Sequence, residues 1–595
     1  MFSPEWSSVD RVASCLVLPL GIWILLSGID DLIVDVSGFM AGVRNRFRKA
    51  PTRRELFQRP QQRIAIFIPC WHESGVIADM IAGNRDRVSY GPFDFFIGVY
   101  PNDLPTCDVV QALENRFDNV HLAMCPHHGP TSKADCLNWI YQRMLLFEAA
   151  TGARFGIIVT HDAEDVIHPD GLLWINWYSP DYEMVQVPVL PLPTRLTMWT
   201  HGVYCDEFAE YQYRDMPARQ FMGAFVPSNG VGTGFRRQAL DGLAAVEGNR
   251  IFEPVCLTED YENGLRLKLR GARQIFVSVH GREVATREYF PLTFRTAVRQ
   301  RTRWVTGIAL QTWERHGWRG SAADKYWLWR DRKGLIGNPA SLLTNVLLAY
   351  GAVCGALDAF AGYRSAFSDR VTELSGFLAL TSAMGVYRIL FRAWCVSGSF
   401  GWRFAAGVPV RMVAGNCINS LATLRALSRY FSARVHGEPL VWVKTEHQFP
   451  TASTLQSDRR PLGEVLVMSG FIGEAQLQQG LATCPQNRRL GEHLVALGYL
   501  TEDELCEALS LQTQLPLSRV EPEEVPRFVA RAIPAYMTRD RQVVPFRVED
   551  GKLLLATSEE PEDNLRRDLQ RFTNLEIRFH LVTLRRLESL IQSLL

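Results

Sequence analysis

Three apolar runs constrain this chain more than any other feature. Val12 to Ile29 carries no charged side chain and is long enough to cross a bilayer core as a helix. No small-residue cleavage site follows it. Asp30 and Asp31 do, so the run reads as an anchor rather than a removed signal peptide. Leu335 to Leu357 is a second run and Leu374 to Trp394 a third, with Arg388 and Arg392 near one end, where long side chains can reach the water surface. A further candidate, Phe404 to Leu424, is interrupted by Arg411, Asn416 and Asn419. It reads as an amphipathic helix lying in the interface, with a fourth span as the alternative. Arg44, Arg46, Arg48, Lys49, Arg53 and Arg54 follow the first run, and positive residues favour the cytoplasm. Residues 40–330 are therefore expected there. Three spans return the C-terminal region to the same side, in line with the cluster Arg388, Arg392, Arg403 and Arg411.

At 595 residues the chain exceeds what one hydrophobic core usually organises, so several units are expected. Lys+Arg 64 against Asp+Glu 63 leaves a net charge of +1, which excludes a bulk electrostatic case for binding a nucleic-acid polymer. The 12 cysteines form no C-x-x-C pair. That excludes a zinc ribbon or a redox motif of that type and suits a reducing compartment.

Between the first two runs lies a soluble domain. Arg63 to Pro69, Phe93 to Tyr100 and Phe155 to Thr160 read as buried strands. Helical stretches near Val76–Val88 and Lys133–Ala149 separate them. Alternation of this kind predicts an α/β fold with parallel strands and crossover helices, whose ligands bind beyond the carboxyl ends of the strands. One such end is His161-Asp162-Ala163-Glu164-Asp165. Buried carboxylates are costly unless solvated, paired or bound to a cation, and hard oxygen ligands suit Mg²⁺ or Mn²⁺. A helix cap is the plain alternative. Three other patches carry similar choices. Thr258-Glu259-Asp260 precedes a helical run and could simply cap it. Gln300, Arg303 and Trp304 share helical spacing and could simply be interfacial. Asp103 ends a strand and could simply be a turn residue.

Taken in order, these patches resemble family 2 glycosyltransferases of the cellulose, hyaluronan and chitin synthase type. That pattern is an Asp after the second strand, an Asp-x-Asp, a Thr-Glu-Asp and a Gln-x-x-Arg-Trp followed by membrane helices. Here it reads Asp103, Asp162-Ala163-Glu164, Thr258-Glu259-Asp260 and Gln300-x-x-Arg303-Trp304. Pro69 to Glu73 resembles the family's first nucleotide-binding loop, Lys133 to Asn138 its Lys-Ala-x-x-Leu-Asn segment, and Asn229 to Arg237 its Gly-rich stretch. Glu164 departs from the second Asp but still offers two oxygens. The resemblance implies a GT-A, Rossmann-like mixed sheet and transfer from a UDP-linked or similar nucleotide sugar to a growing glycan, with inversion. Pro69, Glu73, Asp103, Lys133 and Asp162 would bind the donor, and Asp162 and Glu164 the metal. Asp260 would be the base, with Glu259 beside it. Asp103 would contact the nucleotide. Gln300 and Arg303 would hold the acceptor end and the diphosphate, and Trp304 would present a face to an acceptor sugar.

The C-terminal region repeats itself. Leu462-Gly463 recurs as Leu490-Gly491, 28 residues on, and Leu477 and Leu481 recur as Leu505 and Leu509. By itself this is a helical duplication that could pack only on itself. It resembles the N-terminal domain of type II secretion and type IV pilus ATPases, one branch of which binds cyclic di-GMP through tandem Arg-Leu-Gly-…-Gln motifs. Arg489, Leu490, Gly491 and Gln512 fit the second copy, and Leu462 and Gly463 the first. The first departs from the motif: Pro461 and Cys484 replace its Arg and Gln, with Arg459 or Arg460 as a substitute cation, so only modest affinity is expected. No P-loop follows, which makes the region a small, mostly helical α+β sensor without a motor.

The expected units are an anchor (1–40), a transferase domain (60–320), interfacial and membrane helices (324–431), a linker (432–458) and the sensor (459–595). This order resembles the phage adsorption protein B family. It implies a multi-pass bacterial inner-membrane protein with both soluble domains cytoplasmic. It also implies contact with membrane lipids, a surface polysaccharide such as poly-N-acetylhexosamine, activation by cyclic di-GMP, and an outer-membrane or periplasmic export partner. A single-addition transferase acting on a lipid carrier and a non-catalytic membrane scaffold remain open.

Overall fold

The computed structural model describes residues 4–47, 50–278, 284–362, 364–438, 440, 461–485, 488–513, 515–549 and 551–594. Strands β1 (Ile64–Pro69), β2 (Phe93–Val99), β3 (Val120–Met124), β4 (Ile157–Thr160), β5 (Met184–Gln186), β7 (Thr233–Arg236) and β8 (Gln274–Phe276) form one seven-stranded sheet in the order β3-β2-β1-β4-β7-β5-β8. The first four are parallel, and β7 runs against β4 and β5. Two short strands, β6 (Val189–Pro191) and β9 (Thr286–Glu288), pair beside it.

The unbroken apolar run of β1 follows from its central place in the sheet, covered on both faces. Ile64, Ile66 and Ile68 pack with Ile77, Met80 and Val110 from the helices Ile77–Arg87 and Leu104–Arg116. Ala65 and Phe67 face Leu137, Ile140 and Met144 of the helix Lys133–Thr151. All four parallel strands end on one edge, toward which the sequence motifs converge.

The apolar runs lie in much longer helices. Pro4–Phe47 and Ala322–Ala361 are each long and apolar enough to cross a membrane. The pair Ala366–Glu373 and Ser375–Phe400, bent by 81° at the break, becomes a third if it counts as one span. Val408–His436 does not qualify, as its polar residues predict. Its Arg411 is 4% exposed and makes two 2.7 Å hydrogen bonds to Asp206, so this polar face is buried against the helix Trp199–Glu210. Arg388 and Arg392 do not reach for water as the sequence predicts. Arg388 lies 3.3 Å from Asp35, and Arg392 donates to Glu210 at 2.5 Å. Asp30 and Asp31 are held in turn by Arg330, Lys333 and Arg214. A buried carboxylate within reach neutralises a guanidinium without exposing it.

Of the expected linker, residues 432–436 continue the helix Val408–His436, while 439 and 441–458 lie outside the described residues, as do Arg459 and Arg460. Beyond it come two helix pairs, Leu462–Met468 with Glu474–Thr483 and Leu490–Ala496 with Glu502–Thr513. A three-stranded sheet of β10 (Val543–Glu549), β11 (Lys552–Thr557) and β12 (Glu576–Leu581) follows.

Candidate active site

A cleft of about 270 Å³ opens at the carboxyl edge of the sheet. Pro69, Glu73, Lys133, Asp162, Glu164, Asp260, Gln300, Arg303 and Trp304 all line it. Motifs more than 200 residues apart in the chain thus meet in one cavity.

The loop after β4 presents Asp162 and Glu164. It is pinned by Asp165, which is fully buried, accepts from the Asp162 N–H at 3.1 Å and lies 2.6 Å from His161 Nδ1. Val166 then exchanges backbone hydrogen bonds with Arg287, at 2.8 and 3.0 Å. That bridge brings the next residue, Glu288, to the cluster: carboxylate oxygens of Asp162, Glu164 and Glu288 lie within 4.8 Å of one another. Glu288 was not anticipated. It sits on a three-residue strand with no motif around it. Burial first, then Asp165, Glu164 and Asp162, push its carboxyl well above the usual range. Three hard carboxylates in this arrangement fit Mg²⁺ or Mn²⁺.

Lys133 caps the other side of the cluster, paired with Asp162. Burial disfavours its charge, but Asp162, Glu259 and Asp260 outweigh burial and hold the ammonium protonated. Its helix starts at Ser132, whose side chain accepts from the Asp135 N–H. Asp260 lies across the cleft at the start of the helix Glu259–Leu269. The backbone at Gly230 comes so near that a Cβ would stand 2.7 Å from Asp260 Oδ2, and its φ of +81° also favours glycine. Burial is the largest cause raising both acids; Glu259 reaches about 7, with Asp260 as the next cause.

Trp304 is half-buried and sits edge-on to Tyr204 and Phe290, whose rings stack at 4.9 Å. Phe290 lines the cleft as well, and neither Tyr204 nor Phe290 was singled out from sequence. Asp103 is placed differently from the rest. It is 1% exposed and does not line the cleft. Its Oδ2 accepts from the His72 N–H at 2.6 Å, holding the loop Pro69–Glu73, where His72 has a φ of +56°. Its Oδ1 makes no hydrogen bond and lies 3.3 Å from His72 Nδ1.

In the C-terminal domain the glycines of the repeat stand against leucines of the paired helices. A Cβ at Gly463 would stand 2.8 Å from Leu477 Cδ1, and one at Gly491 2.6 Å from Leu505 Cδ1. The Leu-Gly repeat therefore encodes one helix-packing contact used twice. Arg489 is exposed and pairs with Glu559. Gln512 lines a different cavity, between this domain and the transferase domain.

Residues 60–307 match the family described as "Glycosyltransferase like family 2". Residues 513–595 match the "MshEN domain", so the tandem motifs lie just upstream of that match. Bacteriophage adsorption protein B of Escherichia coli strain K12 is 33% identical over 577 residues, covering 91% of this chain and 76% of that protein. The chain belongs to the phage adsorption protein B family. Bacteriophage N4 adsorption protein B of E. coli O157:H7 matches with the same identity and coverage. As a member of this family the chain is a family 2 glycosyltransferase, with a GT-A-like mixed sheet and a C-terminal domain of the MshEN type. Among solved structures, a mannosyltransferase from Pyrobaculum calidifontis in complex with GDP-Man and Mn²⁺ is 17% identical, with a TM-score of 0.43 over 66% of this chain and 97% of that one. MshE with cdg is 26% identical, with a TM-score of 0.21 over 23% of this chain and all of that one.

Proposed function

We propose that this protein is a processive, inverting transferase of the bacterial inner membrane, building a surface polysaccharide from a nucleotide-sugar donor under the control of cyclic di-GMP. The observation that carries this reading is the single cleft that gathers Lys133, Asp162, Glu164, Asp260, Gln300, Arg303 and Trp304. Asp162 and Glu164, with Glu288 as a third ligand, would hold a divalent cation, which when bound neutralises the charge of the leaving diphosphate. Lys133 and Arg303 add fixed positive charge beside it. Asp260 takes the proton from the acceptor hydroxyl, and burial, which raises its carboxyl above the ordinary range, makes it a stronger base. Trp304, braced by Tyr204 and Phe290, offers the acceptor sugar an apolar face. Asp103 acts on the nucleotide through the loop it holds.

The helices Pro4–Phe47, Ala322–Ala361 and the bent pair supply three spans, with both soluble domains cytoplasmic. The proposed units are those expected from sequence, except that the linker begins after His436. Two features support a growing glycan as the acceptor: Trp304 is in the cleft, and the apolar helices begin shortly after it in the chain. An N-acetylhexosamine is the proposed sugar, and an outer-membrane or periplasmic partner receives the chain. The test is to incubate membranes containing the protein with a panel of nucleotide sugars, with and without cyclic di-GMP, and to measure product length. A polymer whose synthesis rises with cyclic di-GMP is expected. A product one sugar long on lipid would replace processivity by single addition, and no donor turnover with any sugar would refute the reading.

A further inference from the structure

Arg53 belongs to the short helix Arg53–Gln58, far from the cleft residues in sequence, and is 6% exposed. Its Nε donates to both oxygens of Asp170 at 3.1 and 2.9 Å, and its Nη2 to Asp170 Oδ1 at 3.0 Å and to Ser89 at 3.2 Å. Its remaining nitrogen, Nη1, donates to Glu507, on the C-terminal domain's helix Glu502–Thr513. The guanidinium also lies over Phe57 at 5.0 Å and over Phe471, in the first sensor repeat, at 5.6 Å. One buried cation thus grips both domains.

Asp170 is the far end of the loop that starts with Asp162 and Glu164, and it directly precedes the helix Gly171–Tyr178. Between these ends the loop is tied at two places. Asn84, which is fully buried, donates to the Asp165 carbonyl at 2.7 Å and accepts from the Ile167 N–H at 2.8 Å. Val166 is bridged to Arg287, the neighbour of Glu288. A cavity of about 1010 Å³ runs along the outer side of this loop. Val166, His168 and Arg287 line it from the transferase domain, and Ser510, Gln512 and Arg578 from the C-terminal domain. The C-terminal domain therefore sits against the back of the carboxylate loop.

We propose that this face is the surface through which the C-terminal domain sets the carboxylate loop. Arg53 is its positioning residue, and Glu507 and Phe471 are the C-terminal domain's hold on it. The proposal rests on the transferase reading only in taking the loop as the cation and donor site. Arg53 fixes Asp170 through a planar fork that lysine cannot copy. Removing Glu507's charge loosens the grip without touching any residue that lines the cleft. The effect then falls on cation affinity, because Arg53 holds the loop that carries Asp162 and Glu164 and touches no residue that lines the cleft; lost outer partners of a metal site typically cost about 10–100-fold in affinity or activity.

The test uses the full chain in lipid nanodiscs, with Glu507→Gln, Phe471→Ala, Arg53→Lys and the exposed control Glu588→Gln. Hydrogen exchange of amides 162–170 and 286–288 is measured alongside the Mn²⁺ concentration for half-maximal donor turnover. Expected for Glu507→Gln and Phe471→Ala is faster exchange in both segments, with unchanged protection of β1 to β4 showing that the domain is folded. The half-saturating Mn²⁺ concentration should rise about tenfold, while kcat at saturating Mn²⁺ stays within about twofold. Arg53→Lys, which also loses the fork to Asp170, should exceed Glu507→Gln in both readouts. Exchange and Mn²⁺ dependence both at parental values in Glu507→Gln and Phe471→Ala would overturn the proposal. If the parent turns over no donor, the transferase reading fails, and the exchange result still decides whether the docking sets the loop.

Discussion

The acid pair at the start of the helix Glu259–Leu269 makes a sharp claim about pH. Glu259 is pushed up to about 7, first by burial and next by Asp260. Asp260 is also raised, again mainly by burial, with Lys133 pulling it back. The two titrate together, so the upper apparent pKa belongs to the pair. If the pair must be fully ionised for Asp260 to accept a proton, kcat/KM has an acidic limb breaking at about 7. From pH 8 to pH 5 it then falls roughly 90-fold, whereas a base with the ordinary aspartate value of 3.8 would lose less than about a tenth. Glu259→Gln removes the neighbouring charge and should move the limb to lower pH. The assay is initial-rate donor turnover at subsaturating donor across pH 5–8, with parent and variant compared at saturating metal. A flat profile down to pH 5, or a limb unmoved in Glu259→Gln, would refute the reasoning. The same shift bears on stability. A carboxyl raised in the folded state binds more protons there than when unfolded. Its contribution is therefore fully present below about 4.5 and is lost as pH rises through about 7. For Glu259 this is on the order of 3 kcal/mol, so the transferase domain should be less resistant to urea at pH 8 than at pH 5 by part of that amount.

Four further outcomes are expected. Asp260→Asn should lower transfer by about 10²–10⁴-fold with donor affinity by calorimetry nearly unchanged. Glu288→Gln should raise the half-saturating Mn²⁺ concentration by roughly 10–100-fold, and metal titrations identical to the parent would remove Glu288 from the site. Arg489→Ala should abolish the response to cyclic di-GMP while basal transfer is retained. A reporter fused after Leu595 should read cytoplasmic if the proposed three spans hold, and a periplasmic readout would refute that topology.

The cleft was largely legible in the sequence because its residues stand at the ends of strong elements. Asp162 and Glu164 follow a fully buried strand, Asp260 opens a helix, and Lys133 follows a capping serine. Each leaves a local signature, and their order along the chain supplies the rest. Glu288 left none: β6 and β9 are three residues each and owe their place to the bridge with Val166, a contact between distant segments. Arg388 was misplaced for a related reason. Hydropathy sees an arginine near the end of an apolar run, but its partners Asp31, Asp35 and Glu210 come from elsewhere in the chain. The glycines of the repeat were read as parts of a ligand motif, and the structure shows a packing contact at them as well. What approaches is Leu477 or Leu505, and leucine at that spacing also looks like ordinary core.

The length of the first helix has a mechanical consequence. Pro4–Phe47 runs 44 residues without a break, about 65 Å at 1.5 Å per residue, roughly twice a bilayer's hydrocarbon core. Ala322–Ala361 is 40 residues long, and the two are cross-braced by ion pairs from Asp30 and Asp31 to Arg330 and Lys333. Each helix holds one interior proline, Pro19 and Pro339, where a span that tilts to fit a thinner or thicker bilayer can bend, while the ion-paired stretch beyond them moves as one piece. The tilt passes along both rods to the helices that Gly38 and Trp327 touch, next to Ala218. The rate is therefore expected to change with acyl-chain length, which a comparison of nanodiscs of different lipid thickness would measure.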